Sequence, residues 1–315
     1  SIMTNEFIDL KENITVKQAL EKIKQEGMNK ETIYTCYVLD KTRKLIGLVS
    51  IRDLLLADEK VLIKDLMTKK IIKSHTLDDR EVVARKLQKY NFLALPIVDS
   101  EEKLVGIVTF DDALEVLKEE NTEDFSKMGA VTPSDNSYFK TSVLKHAKNR
   151  IVWLLFLMVS AMITGSVITS YEEAFAALPI LVSFIPLIMG TGGNSGSQAS
   201  TLIIRGLAVE EIKPRDILKA MFKELRIAIL VSVCLATIMG TGIFLIYKDI
   251  KLSIVVAVSL IFTIILAKQL GCILPILAKK LKLDPAIMAA PLISTIVDTC
   301  SVFIYFTMAT WLFNI

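Results

Sequence analysis

Val38-Leu39-Asp40, followed by Lys44-Leu45-Ile46-Gly47-Leu48-Val49-Ser50 and Asp53, returns as Ile97-Val98-Asp99, followed by Lys103-Leu104-Val105-Gly106-Ile107-Val108-Thr109 and Asp112, at a constant offset of 59 residues. Each copy reads as two β-branched strands joined by a charged turn, residues 40–44 and 99–103, with a helix entered through Ser/Thr-x-x-Asp. Upstream, Ile2-Met3-Thr4 matches Leu66-Met67-Thr68, and each is followed by an alternating apolar segment and a helix-patterned one, 16–23 and 82–87. The repeated unit is strand, helix, strand, turn, strand, helix. Such a unit buries its apolar face only when the two copies pack together.

The chain changes character near residue 150. Residues 1–150 hold 25 acids and 25 Lys/Arg, whereas 151–315 hold 9 acids and 12 Lys/Arg, so the first half reads as soluble and the second as membrane. The formal charge of +3 belongs wholly to the membrane half (12 − 9), where it collects in short loops and forms no basic face for nucleic acid. Cys36, Cys234, Cys272 and Cys300 are scattered, without CxxC spacing or a nearby His pair, and read as buried thiols. With two histidines and no spaced His/Cys/Glu set, the sequence offers no enzyme-like metal or nucleophile site.

Five apolar runs, 151–169, 175–204, 227–247, 252–278 and 285–313, are predicted to span a bilayer. Basic residues gather before the first run, between the second and third, and between the fourth and fifth; the opposite loops hold few. That asymmetry, with no cleavable signal ahead of the soluble half, predicts a multi-pass cell-membrane protein with that half in the cytoplasm and the C-terminus outside. Asp298 is the only Asp, Glu, Lys, Arg or His after Asp284. A carboxylate at such depth costs about 2.5–3.5 kcal/mol on insertion scales and is kept mainly where it faces a cavity, a partner or an ion path. The second run contains Gly190-Thr191-Gly192-Gly193-Asn194-Ser195-Gly196-Ser197-Gln198. Two readings of it stand: a loosened helix whose carbonyls and Asn194 amide face a water-lined path, or close helix packing through small residues. An odd number of spans encloses no evident path in one chain, which predicts a homodimer with the pore between subunits. Lys268, deep in the fourth run, has no evident partner in the sequence.

Between the halves lie Asp111, Asp112, Glu115, Glu119, Glu120, Glu123 and Asp124, with Lys118 the one base among them. On a helix, Asp112, Glu115 and Glu119 share a face with Glu123 one turn on, while Glu120 and Asp124 lie alongside. Such a face repels itself unless cations or a basic partner intervene, and oxygen ligands suit a hard divalent ion. It reads as a divalent-ion sensor or as an ordinary solvated face. From Ser126 to Arg150 the balance turns basic, with Asp135 the single acid, and the segment reads as an amphipathic connecting helix at the membrane surface.

The repeat resembles a tandem CBS-domain pair, carried by Ser50–Asp53 and Thr109–Asp112. The resemblance implies a nucleotide such as ATP near Arg52 and Asp53; helix capping by Asp53 and Asp112 is the alternative, and Thr35 stands where a base-stacking aromatic would help. A sharper resemblance covers the whole chain. Pro186-x-x-Met189-Gly190-Thr191-Gly192-Gly193-Asn194-x-Gly196-x-Gln198, then Arg205-Gly206-Leu207-Ala208, then Asp284-Pro285-Ala286 with Pro291-Leu292 before Asp298, is similar to the MgtE family of magnesium channels. This implies an α+β cytosolic CBS pair (1–62 and 63–120), a connecting, plug-like helix (121–150) and an all-α domain of five transmembrane helices (151–315). It implies a non-enzymatic homodimer in membrane lipid that carries Mg2+ and is gated by regulatory Mg2+, the alternative being a CBS-regulated secondary transporter of another cation or solute. The implied pore site is Asp298 with Gly190, Asn194, Ala290 and Ser294, where Ala290 replaces an Asn that family members can carry. The implied sensor acids are Asp79, Glu81, Asp112, Glu115, Glu120, Glu123, Asp124 and Asp284; Asn91 stands where the family can have an acid. The family's acidic N-terminal helical domain would precede Ser1, so weaker Mg2+-dependent gating is expected of this sequence.

Overall fold

The two copies of the repeat form two three-stranded sheets of one design in the computed structural model, which describes residues 2–134 and 138–314. In the first sheet, β1 (Asp9–Lys11) runs parallel to β2 (Thr35–Leu39), which pairs antiparallel with β3 (Leu45–Ser50). In the second, β4 (Ser74–His75), β5 (Ala94–Val98) and β6 (Leu104–Thr109) repeat that order and those directions. Even the irregularities recur, a register shift at Val38/Leu39 having its counterpart at Ile97/Val98. Asp40 Oδ1 accepts from the backbone N–H groups of Thr42 and Lys44, and Asp99 Oδ1 does the same for Glu101 and Lys103. These side-chain bonds hold turns in which Arg43 and Glu102 take left-handed φ values of 67° and 69°.

The helices start where local chemistry caps them. Thr15 and Gln18 form a capping box at the head of α1 (Val16–Glu26), which buries Val16, Ala19 and Ile23 along one stripe. Ser50 and Asp53 cap α2 (Ile51–Leu56) in the same way, and the short α3 (Ile63–Leu66) follows. Asp79 caps α4 (Arg80–Tyr90), which ends as Asn91 turns left-handed at φ 52°.

The copies are joined crosswise. Thr4 and Ile107 exchange two backbone hydrogen bonds of 2.9 Å, and Leu48 and Thr68 exchange two of 3.1 and 2.9 Å. The Met-Thr lead of each copy thus pairs with the last strand of the other, over a shared core that includes Tyr37, Leu39, Leu45, Val98, Leu104 and Ile107. Glycine permits the approach: a Cβ on Gly47 would lie 2.5 Å from Met67 Sδ, and one on Gly106 would lie 2.5 Å from Met3 Cγ and 2.6 Å from the Thr4 carbonyl oxygen.

Two compact units divide the chain, Ser1–Asn121 and Thr122–Ile315, and α5 (Phe110–Met128) begins in one and ends in the other. The single connecting helix expected over 126–150 is broken instead. Gly129 and Ala130 end α5, Ala130 turning left-handed at φ 52° while Val131 N–H bonds back to the Ser126 carbonyl at 2.9 Å, and Pro133 follows. A Ser142 cap then starts α6 (Val143–Thr169), which runs straight on into the first span. Asp135 lies outside the described residues.

The second unit continues with α7 (Glu172–Ala177), a 3-10 turn over Pro179–Phe184, α8 (Ile185–Ala208), α9 (Ile217–Tyr247), α10 (Ile250–Lys280), a 3-10 turn over Pro285–Met288 and α11 (Ala290–Phe313). Two expected spans are therefore shorter than their apolar runs: Pro179 and the non-helical Leu178 break the second, and the extended Ala289 breaks the fifth. Helices α6, α9 with its preceding turn, α10 and α11 are long and apolar enough to cross a membrane. Helix α8 has the length, 24 residues, but its Gly, Ser, Asn and Gln lower its apolarity, and it is instead packed against α10 and α11. Helix α10 is central, half of its apolar window being buried against α8, α9 and α11, while only 6% of that of α6 is buried.

Substitution at the crosswise contacts should separate the two glycines. Gly106→Ala is expected to destabilise the protein by about 1–3 kcal/mol, because the added methyl meets backbone. Gly47→Ala should cost less, since Met67 has a flexible side chain. Thermal unfolding of both variants in detergent measures the order.

Candidate functional site

The glycine-rich stretch keeps α8 helical throughout, so the expectation of a loosened segment with free carbonyls is corrected. The glycines serve close packing. A Cβ on Gly192 would lie 2.7 Å from Thr263 Cγ2 and 2.9 Å from Val297 Cγ1, one on Gly196 would lie 2.7 Å from Ile293 Cγ2, and one on Gly271 of α10 would strike the Gly196 carbonyl oxygen. With side chains removed at these points, α8 sits directly on α10 and α11.

The same packing brings Asp298 to α8. A Cβ on Gly193 would lie 3.3 Å from Ser294 Oγ and 3.5 Å from Asp298 Oδ1, and Ser197 Oγ is 3.4 Å from Ser294 Oγ. Ala290, Ser294 and Asp298 follow one another at four-residue spacing on one face of α11. Gly190, Asn194 and Gln198 form the exposed edge of α8 beside Gly193 and Ser197. The carboxylate of Asp298 is half-buried, and among the described residues none pairs with it or hydrogen-bonds to it. The five residues expected at the pore thus lie along two adjoining helices, Ser294 and Asp298 in contact with α8, Gly190 and Asn194 on its open side, and Ala290 at the head of α11.

The expected sensor acids do not gather in this way: the described residues contain no group of three or more His, Cys, Asp or Glu poised for a metal. Most are engaged singly. Asp79 caps α4 through Glu81 N–H at 2.8 Å, Glu81 pairs with Arg85, and Asp112 Oδ2 accepts from Thr109 Oγ1 at 2.9 Å. Arg80 reaches across from α4 to Glu119 and Glu120 on α5, at 2.9 and 3.0 Å. Burial opposes the charge on Arg80, but the two carboxylates outweigh it and raise its pKa. Lys127 bridges Glu123 and Asp284. Glu115 is exposed and Asp124 half-buried. The basic partners Arg80 and Lys127 were missed in the sequence because each acts through contacts remote in the chain.

Asp53 behaves as a cap, its Oδ2 accepting from Ser50 Oγ at 2.6 Å. A cavity of about 260 Å3 lies where the lead of the first copy meets the second, lined by residues that include Ile2, His75, Asp78 and Arg80 but neither Arg52 nor Asp53.

A family profile described as a divalent cation transporter, MgtE, matches residues 185–308, and the CBS-domain profile matches 1–60 and 63–119. The chain is 36% identical over 308 residues to the magnesium transporter MgtE of Thermus thermophilus and 36% identical over 309 residues to that of Bacillus subtilis, each time across 98% of this chain and 68% of the relative. The chain belongs to the MgtE family. It combines a CBS pair with a helical part bearing several membrane-length apolar helices, as a multi-pass membrane protein of a transporter family, not an enzyme. A crystal structure of the cytosolic domain of the Mg2+ channel MgtE in complex with ATP aligns over 36% of this chain and 46% of its own, at 41% identity and a TM-score of 0.36.

In this MgtE-family chain, Lys268 acquires the partner that the sequence hid. Its Nζ lies 4.0 Å from Glu224 Oε2 on α9, both side chains buried, and Gln269 Nε2 donates to the Met221 carbonyl at 3.1 Å beside it. Charges within a membrane bundle survive by facing inward and pairing. Lys268→Met should strand Glu224 and destabilise the fold by about 3–5 kcal/mol, whereas Lys268→Met with Glu224→Gln should recover most of that loss. Unfolding of the three proteins in detergent reads the difference.

Proposed function

We propose that this chain carries Mg2+ across the membrane down its electrochemical gradient and that Asp298 holds the ion. One observation carries the reading: a half-buried carboxylate without a partner among the described residues, on a membrane-length helix, set against the small-residue face of α8. Elsewhere in this unit the buried charge Lys268 has Glu224; the Asp298 carboxylate is left for a mobile cation. Mg2+ dehydrates reluctantly and usually keeps several waters. The hydroxyl of Ser294 and the Asn194 amide are suited to hydrogen-bond to those waters and need not replace them, while Gly190, with open space beside it, and the small Ala290 leave room for the hydrated ion.

Gly190 and Asn194 face outward from a single chain, which supports a path completed by a second copy, as a symmetric homodimer provides. The charge asymmetry of the loops supports the soluble half in the cytoplasm and the C-terminus outside. In this reading residues 1–62 and 63–120 are the CBS units, 121–150 connects them, and 151–315 conducts. Cytosolic Mg2+ then gates by populating a closed state whose acidic groups it binds better. A nucleotide such as ATP at Arg52 and Asp53 would have to compete with the capping bonds of Asp53.

Mg2+ uptake into proteoliposomes tests the proposal with Asp298→Ala and Asp298→Asn, the second keeping the volume and removing the charge. Both should lower the flux by roughly tenfold or more, as loss of about 1.4 kcal/mol of ion binding would. Undiminished flux in both, or saturable flux coupled to a second solute, favours a CBS-regulated secondary transporter.

A further inference from the structure

Lys127 sits on the last turn of α5, one residue before that helix ends. Its ammonium lies 2.5 Å from Glu123 Oε1 on the same helix and 2.6 Å from Asp284 Oδ2, a residue 157 positions away. All three side chains are partly buried, between 25% and 37% exposed, so the contact is shielded from full solvent screening. Burial alone would favour the neutral amine, but the bonds to Asp284 and Glu123 outweigh it and raise the pKa of Lys127, keeping it charged.

Asp284 is itself fixed. Its other oxygen, Oδ1, accepts from Ala286 N–H at 2.8 Å and caps the Pro285–Met288 turn. At the far end of that turn the Met288 carbonyl accepts from Ser200 Oγ of α8 at 2.6 Å, and Ala289 leads directly into α11. A continuous set of bonds therefore runs from the last turn of α5, through Lys127 and Asp284, to the two helices that form the candidate ion site. An ammonium offers three donors and one positive charge on a flexible stem. Here it occupies the space between two carboxylates that a free cation would otherwise have to bridge.

We propose that Lys127 is a tethered counter-ion that latches the end of α5 onto the turn preceding α11, making this contact independent of divalent cations. Its consequence for transport rests on the function proposed above; the latch itself does not. With Lys127 in place, Mg2+ adds little to the contact, and without it Glu123 and Asp284 repel until a divalent ion joins them.

Chymotryptic cleavage at the exposed Tyr138 and Phe139, just beyond the latch, reads its closure in the full chain in nanodiscs, with fragments assigned by mass spectrometry. Wild type should be cut at the same rate with and without millimolar Mg2+. Lys127→Met should be cut faster without Mg2+, by a factor of about 5 or more, the change expected from losing one or two kcal/mol, and Mg2+ should slow it again. Asp284→Asn, which keeps the capping oxygen, should also be cut faster, and Lys127→Arg should behave as wild type. Equal cleavage of Lys127→Met and wild type, or a wild type protected by Mg2+ as strongly as Lys127→Met, overturns the latch. Mg2+ uptake measured on the same preparations separates the two ideas: absent uptake by a wild type that shows the expected cleavage pattern refutes the transport reading and leaves the latch standing.

Discussion

Close approach of α8 to α10 and α11 is the constraint on which the membrane unit depends. In lipid there is little hydrophobic drive between helices, so association rests on tight van der Waals contact and interhelical hydrogen bonds. Gly192, Gly196 and Gly271 supply the first by offering no Cβ where a neighbouring helix needs the space. Ser200 to Met288 and Tyr305 to Leu181, at 2.6 and 2.9 Å, supply the second. The position of Asp298 follows from this packing, because a helix held against Gly192 and Gly196 presents its carboxylate to Gly193, which lies between them.

Charge is distributed by a second rule, that an ionised group removed from water is matched by another. Lys268 has Glu224, and the partly buried Lys127 has Glu123 and Asp284. Asp298 departs from this rule, which makes it the informative residue of the unit. The acidic stretch of α5 is tempered by bases of the chain itself, so any regulatory cation meets carboxylates already partly neutralised.

Much of the soluble fold was legible because its signals are local. The 59-residue repeat, the Asp-closed turns and the caps at Thr15, Ser50 and Asp79 each lie within a few residues of what they determine. The crosswise pairing of Thr4 with Ile107 and Leu48 with Thr68 was hidden, since like segments match in sequence whether they pair within a copy or between copies. In the linker, charge suggested one helix, but Gly129 and Pro133 carried the stronger signal. At the candidate site, an isolated carboxylate in an apolar run was visible at once. The partners Glu224, Arg80 and Lys127 were not, because helix faces separated by tens of residues carry no spacing that announces their meeting.

Placement of a divalent ion beside Asp298 is the claim most open to direct measurement. Pulsed electron–electron resonance between bound Mn2+, standing in for Mg2+, and a nitroxide on Asn314→Cys, with the native cysteines replaced by serine, gives the distance along α11. Sixteen residues at 1.5 Å rise predict a component near about 24 Å, whereas ions at or before the head of α11 would lie about 36 Å away or farther. The account predicts the shorter component and its loss in Asp298→Asn; only the longer distances, or a short component unchanged by that substitution, would contradict it.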